Sequence, residues 1–365
     1  TKTIWRSSCH AKELQIIIRQ MKRNQVAIIF GGKSAEHEVS LASATHVYNA
    51  MDRERFSPVL IGIDKKGRWF YNEMYPTDDV NLVEKDYFSE AYNVYLSSEE
   101  NRVKVINKKN NEVLTDFDVA FPIVHGTFGE DGTLQGILKS LGIPFVGPGI
   151  LGSAIAMDKD IAKRLFQLEG IPVAASYTIY KHKASSYPFQ QVAENLGLPF
   201  FVKPANAGSS VGVNKVSTEE EYLAALNDGF RYDNKLLVEE AVIGKELECG
   251  VLGNEEAHTS AVGEIVATED FYSYDAKYIS STGAALQVPA RIDATLSDVI
   301  RHFALQAFHA IGCEGMARVD FLLSDNGKLV LNEINTLPGF TAISMYPKMW
   351  EYTGISKKDL ITELI

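Results

Sequence analysis

An α/β fold, with strands and helices alternating along the chain, is predicted for these 365 residues. Short apolar runs at 26–30 and 59–63 have the length of buried strands and are far too short to span a bilayer. Glycine-rich turns follow several strands, as at 31–32 and 125–132. The composition, 45% hydrophobic and 23% charged, is typical of a globular protein, and the length suits two or three domains.

Residues 21–150 form the first predicted unit, a Rossmann-like domain with a parallel sheet, because strand and helix alternate there. Its predicted strands are 26–30, 59–63, 119–124 and 144–146, and its predicted helices are 40–51 and 133–141. The polar residues 72–115 are expected to form an irregular insertion or surface hairpins. Ligands of such sheets bind at the C-terminal ends of strands, here 31–38 and 125–131.

Two further units are predicted, a central one at 151–238 and a C-terminal one at 239–365. In the central unit, helix 158–168 precedes strands 199–204 and 211–216, which flank the small-residue loop 205–210. The predicted C-terminal elements are strands 246–252, 261–267, 315–323 and 328–335, with helix 296–311 between them and helix 357–365 at the end.

The net charge of −11 comes from 36 Lys and Arg against 47 Asp and Glu, and it argues against nucleic acid as a partner. The cysteines Cys9, Cys249 and Cys313 form no CxxC pair, so neither a zinc site nor a disulfide framework is predicted. We expect a cytoplasmic protein with no membrane partner. Residues 1–20 are expected to be a non-native or disordered extension before Met21, with an extra helix as the alternative.

The segment 315–335 contains two alternating strands around Asn326-Gly327, the strongest signal for a two-residue hairpin loop. If these residues are the loop, the numbers of paired residues sum to 653. That register pairs Asp320 with Glu333 and Arg318 with Asn335. Side chains alternate between the faces of a strand, so all four would share one face. A three-residue loop would break this register.

Two carboxylates on one face repel each other, which argues against a purely structural role in an apolar core. The side-chain oxygens of Asp, Glu and Asn suit a hard cation such as Mg²⁺. The hairpin therefore predicts a metal site formed by Asp320, Glu333 and Asn335. The alternative is that Asp320 simply pairs with Arg318 on a solvated face.

Two features of the central unit favour a functional role over a solvated surface. Lys203 ends the apolar strand PFFVKP, where its ammonium can point into a cleft. The loop AGSSVG at 207–212 permits close backbone approach, and its N–H groups can bind phosphate oxygens. It is not a Walker loop, since no GK[ST] follows, and a plain tight turn is the alternative. Gly31-Gly32 is not GxGxxG, which argues against a dinucleotide-binding dehydrogenase.

Six motifs together resemble one known family. EGMARVD at 314–320 with LNEINTLPG at 331–339 resembles the C-terminal signature of D-alanine–D-alanine ligases, which are ATP-grasp enzymes. The other motifs are FGGKSAEHEVS at 30–40, HGTFGEDGTLQG at 125–136, MDKD at 157–160, KPANAGSSVGV at 203–213 and DFYSYDAKY at 270–278. They cover the chain from Met21 in the expected order. The resemblance implies an ATP-grasp fold with an N-terminal Rossmann-like domain.

The resemblance also implies a nucleotide site with ATP as co-substrate. The implied ATP-binding residues are Lys159, Lys203 and Lys277 with Ser210 at the phosphates, Glu239 and Val242 at adenine, and Glu246 at the ribose. Asp320, Glu333 and Asn335 would bind two Mg²⁺ or Mn²⁺ ions.

The implied substrate residues are spread more widely. Glu36 resembles the acid that binds the ammonium of the first D-alanine, and His125 the histidine near that substrate's carboxylate. Ser344 resembles the residue that holds the carboxylate of the second substrate. The other implied catalytic groups are Arg318 and the N–H of Gly339 at the oxyanion, and Tyr278 with Ser209 and Glu36 in a hydrogen-bonded link that holds a lid closed.

The reaction implied is attack of one D-alanine carboxylate on the γ-phosphate of ATP, which gives an acyl phosphate and releases ADP. The amine of a second D-alanine then attacks the carbonyl carbon of the acyl phosphate, and phosphate leaves. The dipeptide would supply peptidoglycan synthesis, and the family usually forms homodimers. Tyr278 disfavours D-lactate as the second substrate, whereas D-serine stays open. A non-catalytic nucleotide-binding protein would be expected to lack part of the lysine and metal-ligand set, all of which is present.

Overall fold

The computed structural model describes residues 23–74, 80–84, 86–99, 102–209, 211–267 and 284–365. The predicted extension at 1–20 lies outside these ranges, as do Ser210, Lys277 and Tyr278. Within the ranges, three β-sheets of seven, four and five strands follow one another along the chain. No helix in the described ranges is long and apolar enough to cross a membrane.

The first sheet has a parallel centre. Its strands are β1 (Asn24–Gly31), β2 (Phe56–Ile63), β3 (Trp69–Tyr71), β4 (Tyr92–Glu99), β5 (Arg102–Asn107), β6 (Val113–Phe117) and β7 (Val119–Pro122). Their spatial order is β6-β5-β4-β3-β2-β1-β7. β1 pairs in parallel with both β2 and β7, which confirms the parallel pairing predicted for these strands. The apolar residues of β1 are fully buried because the sheet is covered on both faces there.

The segment 72–115 is more regular than the sequence suggested. β3, β4, β5 and β6 extend the first sheet by antiparallel pairing. Surface hairpins were therefore the correct alternative for most of this segment, and an irregular insertion was wrong. β5 alternates half-buried and buried residues, the period of two that marks a strand with one covered face. The first sheet is consequently mixed rather than wholly parallel.

Two predicted helices flank this sheet, α1 (His37–Ala50) and α2 (Thr133–Ser140). α1 packs on β1, and its Ala44, Val47 and Tyr48 belong to the same buried core as Phe30. The short strand predicted at 144–146 is an isolated parallel bridge between Phe145 and Ala120.

The second sheet is antiparallel, with the order β10-β9-β11-β8. Its strands are β8 (Ser176–Tyr180), β9 (Phe200–Pro204), β10 (Asn214–Val216) and β11 (Lys235–Glu240). The helices of this region are α3 (Ile150–Met157), α4 (Lys159–Leu168), α5 (Phe189–Leu196) and α6 (Glu219–Gly229). The predicted strand 211–216 starts only at Asn214, because Gly212 turns the chain with a φ of 70°. α4 begins as predicted, with Asp158 accepting a hydrogen bond from the N–H of Ile161.

The third sheet has the order β14-β13-β12-β15-β16. Its strands are β12 (Gly244–Gly253), β13 (His258–Ala267), β14 (Ala284–Gln287), β15 (Gly315–Ser324) and β16 (Leu329–Asn335). The helices that follow β14 and β16 are α7 (Ala294–Ala310), α8 (Met345–Thr353) and α9 (Lys357–Leu364). Tyr346 and Trp350 of α8 lie in the same core cluster as Tyr48 of α1, so helices from the first and third described regions share one core.

The β15–β16 hairpin corrects the predicted loop. Ser324 N–H donates to Lys328 O at 2.9 Å, so the loop has three residues, Asp325 to Gly327, and only Gly327 has a positive φ. The residue numbers of each pair near the loop therefore sum to 652, as for Leu322 and Val330. A bulge then leaves Asn332 without a partner on β15, and beyond it Asp320 pairs with Glu333 and Arg318 with Asn335. The predicted pairs are right although the predicted loop is wrong.

Candidate functional site

One face of the β15–β16 hairpin holds Arg318, Asp320 and Asn335 in mutual contact. Arg318 Nε and Nη2 donate to the two carboxylate oxygens of Asp320 at 2.8 and 2.7 Å. The amide of Asn335 donates to Asp320 Oδ2 at 2.8 Å. Glu248, opposite Asp320 on β12, lies 3.2 Å from Arg318 Nε through its Oε2. The Asp320–Arg318 pair considered from the sequence is thus present, but the two side chains are only 14% and 21% exposed rather than solvated.

Lys159 connects this face to the loop between β9 and β10 of the second sheet. Its Nζ lies 3.4 Å from Glu333 Oε2 and donates to the carbonyl oxygen of Ala207 at 2.8 Å. The ammonium is therefore situated between the predicted metal ligands and the predicted phosphate loop. A cation at that position suits a polyphosphate that contacts both.

Lys203 lies beside a second lysine that the sequence reasoning missed. Lys163 and Lys203 both pair with the carboxylate of Glu239, and all three side chains are buried. Burial lowers the pKa of Lys163, with Lys203 adding to the effect and Glu239 opposing it. Burial opposes ionisation of Glu239, but the two lysines outweigh it and lower its pKa. Lys163 is four residues after Lys159 on α4, so both lie on one helix face, a signal present in the sequence.

The loop between β9 and β10 runs close to Glu36. A Cβ added to Gly126 would lie 2.5 Å from Glu36 Oε2, and one added to Gly208 would lie 3.4 Å from it. Ser209 has a φ of 52°, and its buried Oγ has no hydrogen-bond partner in the described part of the chain. The structure thus brings Glu36 next to the loop that contains Ser209, while Ser210 lies outside the described residues.

His125 is buried and uses both ring nitrogens for protein contacts. Nδ1 lies 2.9 Å from the carbonyl oxygen of Leu337, and Nε2 lies 3.0 Å from Ser43 Oγ. Ser43 Oγ also accepts a hydrogen bond from the N–H of Phe340 at 3.2 Å. Burial lowers the pKa of His125, although the Glu36 carboxylate opposes the shift, so the ring is neutral at pH 7.

Glu130 is a further acid at this site. Its Oε2 accepts from the N–H of Gly126 at 2.6 Å, and its Oε1 accepts from the N–H of Leu337 at 3.1 Å. Burial, reinforced by the Glu36 carboxylate, raises the pKa of Glu130 to about 8. Glu130 therefore carries a proton over much of the neutral range, unlike an ordinary surface glutamate.

Gly339 and Ser344 lie next to each other after β16. A Cβ on Gly339 would lie 2.8 Å from Ser344 Oγ, so a side chain at this position would force that hydroxyl to move. Ser344 is the N-cap residue of α8, but its Oγ contacts Thr341 instead of capping the helix. The first-turn N–H groups of α8 therefore lack a cap from Ser344, an arrangement that suits a bound anion.

Two further predicted nucleotide residues belong to interior strands of the second and third sheets or directly follow them. Val242 is half-buried after β11, and Glu246 is half-buried on β12. Glu246 is two residues from Glu248, so both lie on the sheet face that carries Asp320. Lys277 and Tyr278 fall outside the described residues.

The chemistry of the donor set fits a hard divalent cation. Asp320 and Glu333 are paired neighbours on two strands, and the amide of Asn335 already contacts Asp320. Rotation of that amide by 180° would present its oxygen in place of its nitrogen. Among the described residues, no group of three His, Cys, Asp or Glu side chains is placed to hold a metal, so Asn335 would be needed as the third ligand.

Comparison with known proteins gives one consistent result. The family model for the D-ala D-ala ligase N-terminus matches residues 25–148, and that for the D-ala D-ala ligase C-terminus matches residues 165–365. The chain is 51% identical to a D-alanine–D-alanine ligase of Oceanobacillus iheyensis, covering 94% of each chain. It is 47% identical to D-alanine–D-alanine ligase A of Escherichia coli K12, covering 94% of this chain and 95% of the relative.

Two solved structures are also similar. The VanG D-Ala:D-Ser ligase of Enterococcus faecalis superposes with a TM-score of 0.83 at 35% identity, covering 94% of this chain and 98% of that one. The D-alanine–D-alanine ligase of Coxiella burnetii has a TM-score of 0.80, also at 35% identity, with 94% and 92% covered.

Proposed function

This chain belongs to the D-alanine–D-alanine ligase family, and on that premise we propose how its residues carry out the ligation. Membership makes it an ATP-dependent ligase with the ATP-grasp fold that forms D-alanyl-D-alanine for peptidoglycan synthesis. The family uses ATP and a divalent metal. The observation that supports our residue assignment most strongly is the contact of Lys159 with both Glu333 and the loop at Ala207.

The nucleotide binds between the central and third sheets in this proposal. Lys159 and Lys203 hold the phosphates, assisted by Ser210 and by Lys277 of the lid. The backbone from Glu239 to Val242 contacts adenine, and Glu246 binds the ribose. The Glu239 carboxylate is already paired with Lys163 and Lys203, so its role is to fix these ammonium groups.

Asp320, Glu333 and Asn335 are the proposed ligands of two Mg²⁺ or Mn²⁺ ions. The bound metal would neutralise charge on the transferring phosphoryl group. The half-buried position of the two carboxylates and their oxygen donors support this assignment. Arg318 holds Asp320 through two hydrogen bonds, which fixes the orientation of that carboxylate.

The first D-alanine lies between Glu36, which binds its ammonium, and His125, which lines its pocket. The carboxylate of the second D-alanine lies at Ser344 and the uncapped start of α8. Arg318 and the N–H of Gly339 stabilise the oxyanion when the second amine attacks the acyl phosphate. The Oγ of Ser209 has no hydrogen-bond partner among the described residues, and its neighbour Gly208 lies next to Glu36, which supports a hydrogen-bonded link to Tyr278 that keeps water from the acyl phosphate.

The direct test is phosphate release with ATP, Mg²⁺ and D-alanine. We expect release only when D-alanine is present, with D-alanyl-D-alanine as the product identified by mass spectrometry. Absence of D-alanine-dependent release from folded, ATP-binding protein would overturn the proposed function.

D-serine as the second substrate is the second candidate, because the VanG D-Ala:D-Ser ligase is among the similar structures. Identities near 50% to D-alanine–D-alanine ligases favour D-alanine. A competition assay with equal concentrations of D-alanine, D-serine and D-lactate decides the matter. A majority of D-alanyl-D-serine or D-alanyl-D-lactate in the product would refute the specificity.

Three further points are proposals of the same kind. The domain division at 21–150, 151–238 and 239–365 is supported by the three successive sheets, except that its second boundary falls within β11, so that the second sheet extends to Glu240. A homodimer is supported by exposed apolar side chains on neighbouring helices, namely Ile137, Ile150 and Leu151. Sedimentation of wild type and Leu151→Glu tests it, because only the wild type should dimerise. A cytoplasmic location is supported by the use of ATP and by the free thiols of Cys249 and Cys313.

A further inference from the structure

The segment after β16, residues 336–340, is held by three side chains that come from the first 150 residues. Glu130 Oε1 accepts the N–H of Leu337, and His125 Nδ1 bonds the carbonyl oxygen of the same residue. Ser43 Oγ accepts the N–H of Phe340. Gly339 lies between these two attachment points, and a Cβ there would come within 4.0 Å of Ser43 Oγ. The segment that carries the proposed oxyanion donor is therefore fixed by side chains of the first predicted unit.

Two hydrogen-bond directions in this set are fixed by the chemistry of the backbone groups. A carbonyl oxygen only accepts, so His125 Nδ1 must carry the hydrogen that is donated to Leu337. A backbone N–H only donates, so Ser43 Oγ accepts from Phe340 and can give its own hydrogen to His125 Nε2. When Ser43 donates to Nε2 in this way, His125 is a neutral imidazole with its hydrogen on Nδ1, in agreement with the lowering of its pKa by burial.

We propose that Ser43 and Glu130 are positioning residues that, together with neutral His125, hold residues 337–340 so that the N–H of Gly339 is aimed at the oxyanion. This inference rests on the proposed ligase function. Ser43 is fully buried on α1, and it is the group that bonds both His125 and Phe340. Glu130 adds a second brace, because its other oxygen is fixed by the N–H of Gly126. Burial and the nearby Glu36 carboxylate raise the pKa of Glu130, whereas its hydrogen bonds from Gly126 and Leu337 lower it.

The network gives His125 a different role from that of a charged group facing the substrate. Both of its ring nitrogens are occupied by protein atoms, and its pKa is lowered by burial. A substrate carboxylate next to the ring would therefore meet a neutral group. His125 acts on the reaction through Leu337, by orienting the peptide that leads to Gly339.

Ser43→Ala tests the positioning role, with Ser40→Ala as the matched control. Ser40 is also fully buried on α1, and its Oγ bonds Gly31 and Ile123 instead of the 336–340 segment. We expect similar losses of thermal stability in both variants. Only Ser43→Ala should lower kcat, by about tenfold to a hundredfold, the range for a misplaced catalytic group, with the KM for ATP changed less than about twofold. Equal kcat values for the two variants would overturn the proposal.

Glu130→Gln is the second variant, and Asp131→Asn is its control. A glutamine has one acceptor oxygen, so its NH₂ group would face the N–H of either Gly126 or Leu337. Asp131 accepts from Phe128 and Thr133, within its own loop. We expect kcat to fall by about tenfold in Glu130→Gln and to change little in Asp131→Asn. A Glu130→Gln enzyme as active as Asp131→Asn would contradict the proposed positioning role of Glu130.

A measurement independent of activity separates this inference from the ligase assignment. The ¹⁵N chemical shifts of the His125 ring, assigned with His125→Asn, report its tautomer at pH 7. We expect hydrogen on Nδ1 and none on Nε2, and a change in the Nε2 shift in Ser43→Ala. An imidazolium, or hydrogen on Nε2, would overturn the network even in an active ligase. An inactive wild type with the expected tautomer would instead refute the proposed function and leave the network standing.

Discussion

Glu239→Gln is the substitution with the most informative effect on stability. In the native protein Glu239 lies between Lys163 and Lys203, and the three buried side chains carry a summed charge of +1. The glutamine keeps the volume but raises this charge to +2, with two ammonium groups facing an amide. Lys163→Met lowers the summed charge to 0, because Glu239 stays paired with Lys203.

The expected losses in the free energy of unfolding differ between these variants. Removal of one partner of a buried ion pair leaves an uncompensated charge and costs about 3–5 kcal/mol. We therefore expect Glu239→Gln to lower the free energy of unfolding by about that amount at pH 7. Lys163→Met leaves no uncompensated charge and should cost less than about 1.5 kcal/mol, as volume-conserving core changes do. Glu240→Gln, on the same strand and paired with the half-exposed Lys328, should cost at most about 1 kcal/mol.

The pH dependence has a definite sign. Burial lowers the pKa of Lys163 below its usual 10.5, and Glu239 is the strongest group that opposes this shift. Without Glu239 the pKa falls further, so the folded state loses a proton that the unfolded state retains. Stability then rises with pH between the lowered pKa and 10.5, because the unfolded state binds more protons. Raising the pH from 7 to 9.5 should therefore reduce the difference in the free energy of unfolding between Glu239→Gln and the native protein.

Urea unfolding followed by tryptophan fluorescence, at pH 7 and pH 9.5, measures these differences. The reasoning fails if Glu239→Gln costs no more than Glu240→Gln. It also fails if the difference between Glu239→Gln and the native protein is the same at both pH values, because Lys163 would then not carry the uncompensated charge.

Other predictions concern the acids and the thiols. Asp320→Ala and Glu333→Ala should each lower D-alanine-dependent phosphate release by about 10³-fold or more, since metal coordination contributes several kcal/mol; retained turnover would refute the metal assignment. The pKa of Glu130 is raised from 4.5 to about 8, so between these pH values the folded state holds a proton that the unfolded state loses. The free energy of unfolding of the wild type should therefore fall, relative to that of Glu130→Gln, as the pH rises from 4.5 to about 8. Urea titrations across this pH range measure the difference. Burial raises the pKa of Cys249 to about 12 and also raises that of Cys313, so peptide mapping should find both unmodified after iodoacetamide at pH 8 under native conditions.

The parts of the fold that could be predicted from the sequence are those with a local signal. β1 and β2 are continuous apolar runs because both faces of the sheet are covered, and that pattern is visible without a structure. β5 has a period of two in its burial, so its strand signal was available although the polar composition concealed it. α6 begins with a capping box at Thr218 and Glu221, another local signal that was overlooked.

The candidate site likewise contains features that the sequence predicts and features that it does not. Motif resemblance selected Glu36, His125 and Gly339, but it could not supply the bonds between them. The contacts of Ser43 with Phe340 and of His125 with Leu337 join residues 297 and 212 positions apart. No local pattern encodes such contacts, because they depend on how the first and third sheets pack through the core shared by α1 and α8.

The hairpin shows how a correct pair can follow from an incorrect loop. Ser-Asp-Asn-Gly-Lys fits a two-residue loop and also a three-residue loop with glycine in the left-handed position, and the structure adopts the second. A three-residue loop alone would place Asp320 opposite Asn332 and turn Glu333 to the other face of the sheet. The bulge at Asn332 adds the residue that reverses this slip, so that Glu333 and Asn335 return to the face of Asp320. The bulge is therefore a requirement of the proposed metal site, since without it the two carboxylates would lie on opposite faces of the sheet.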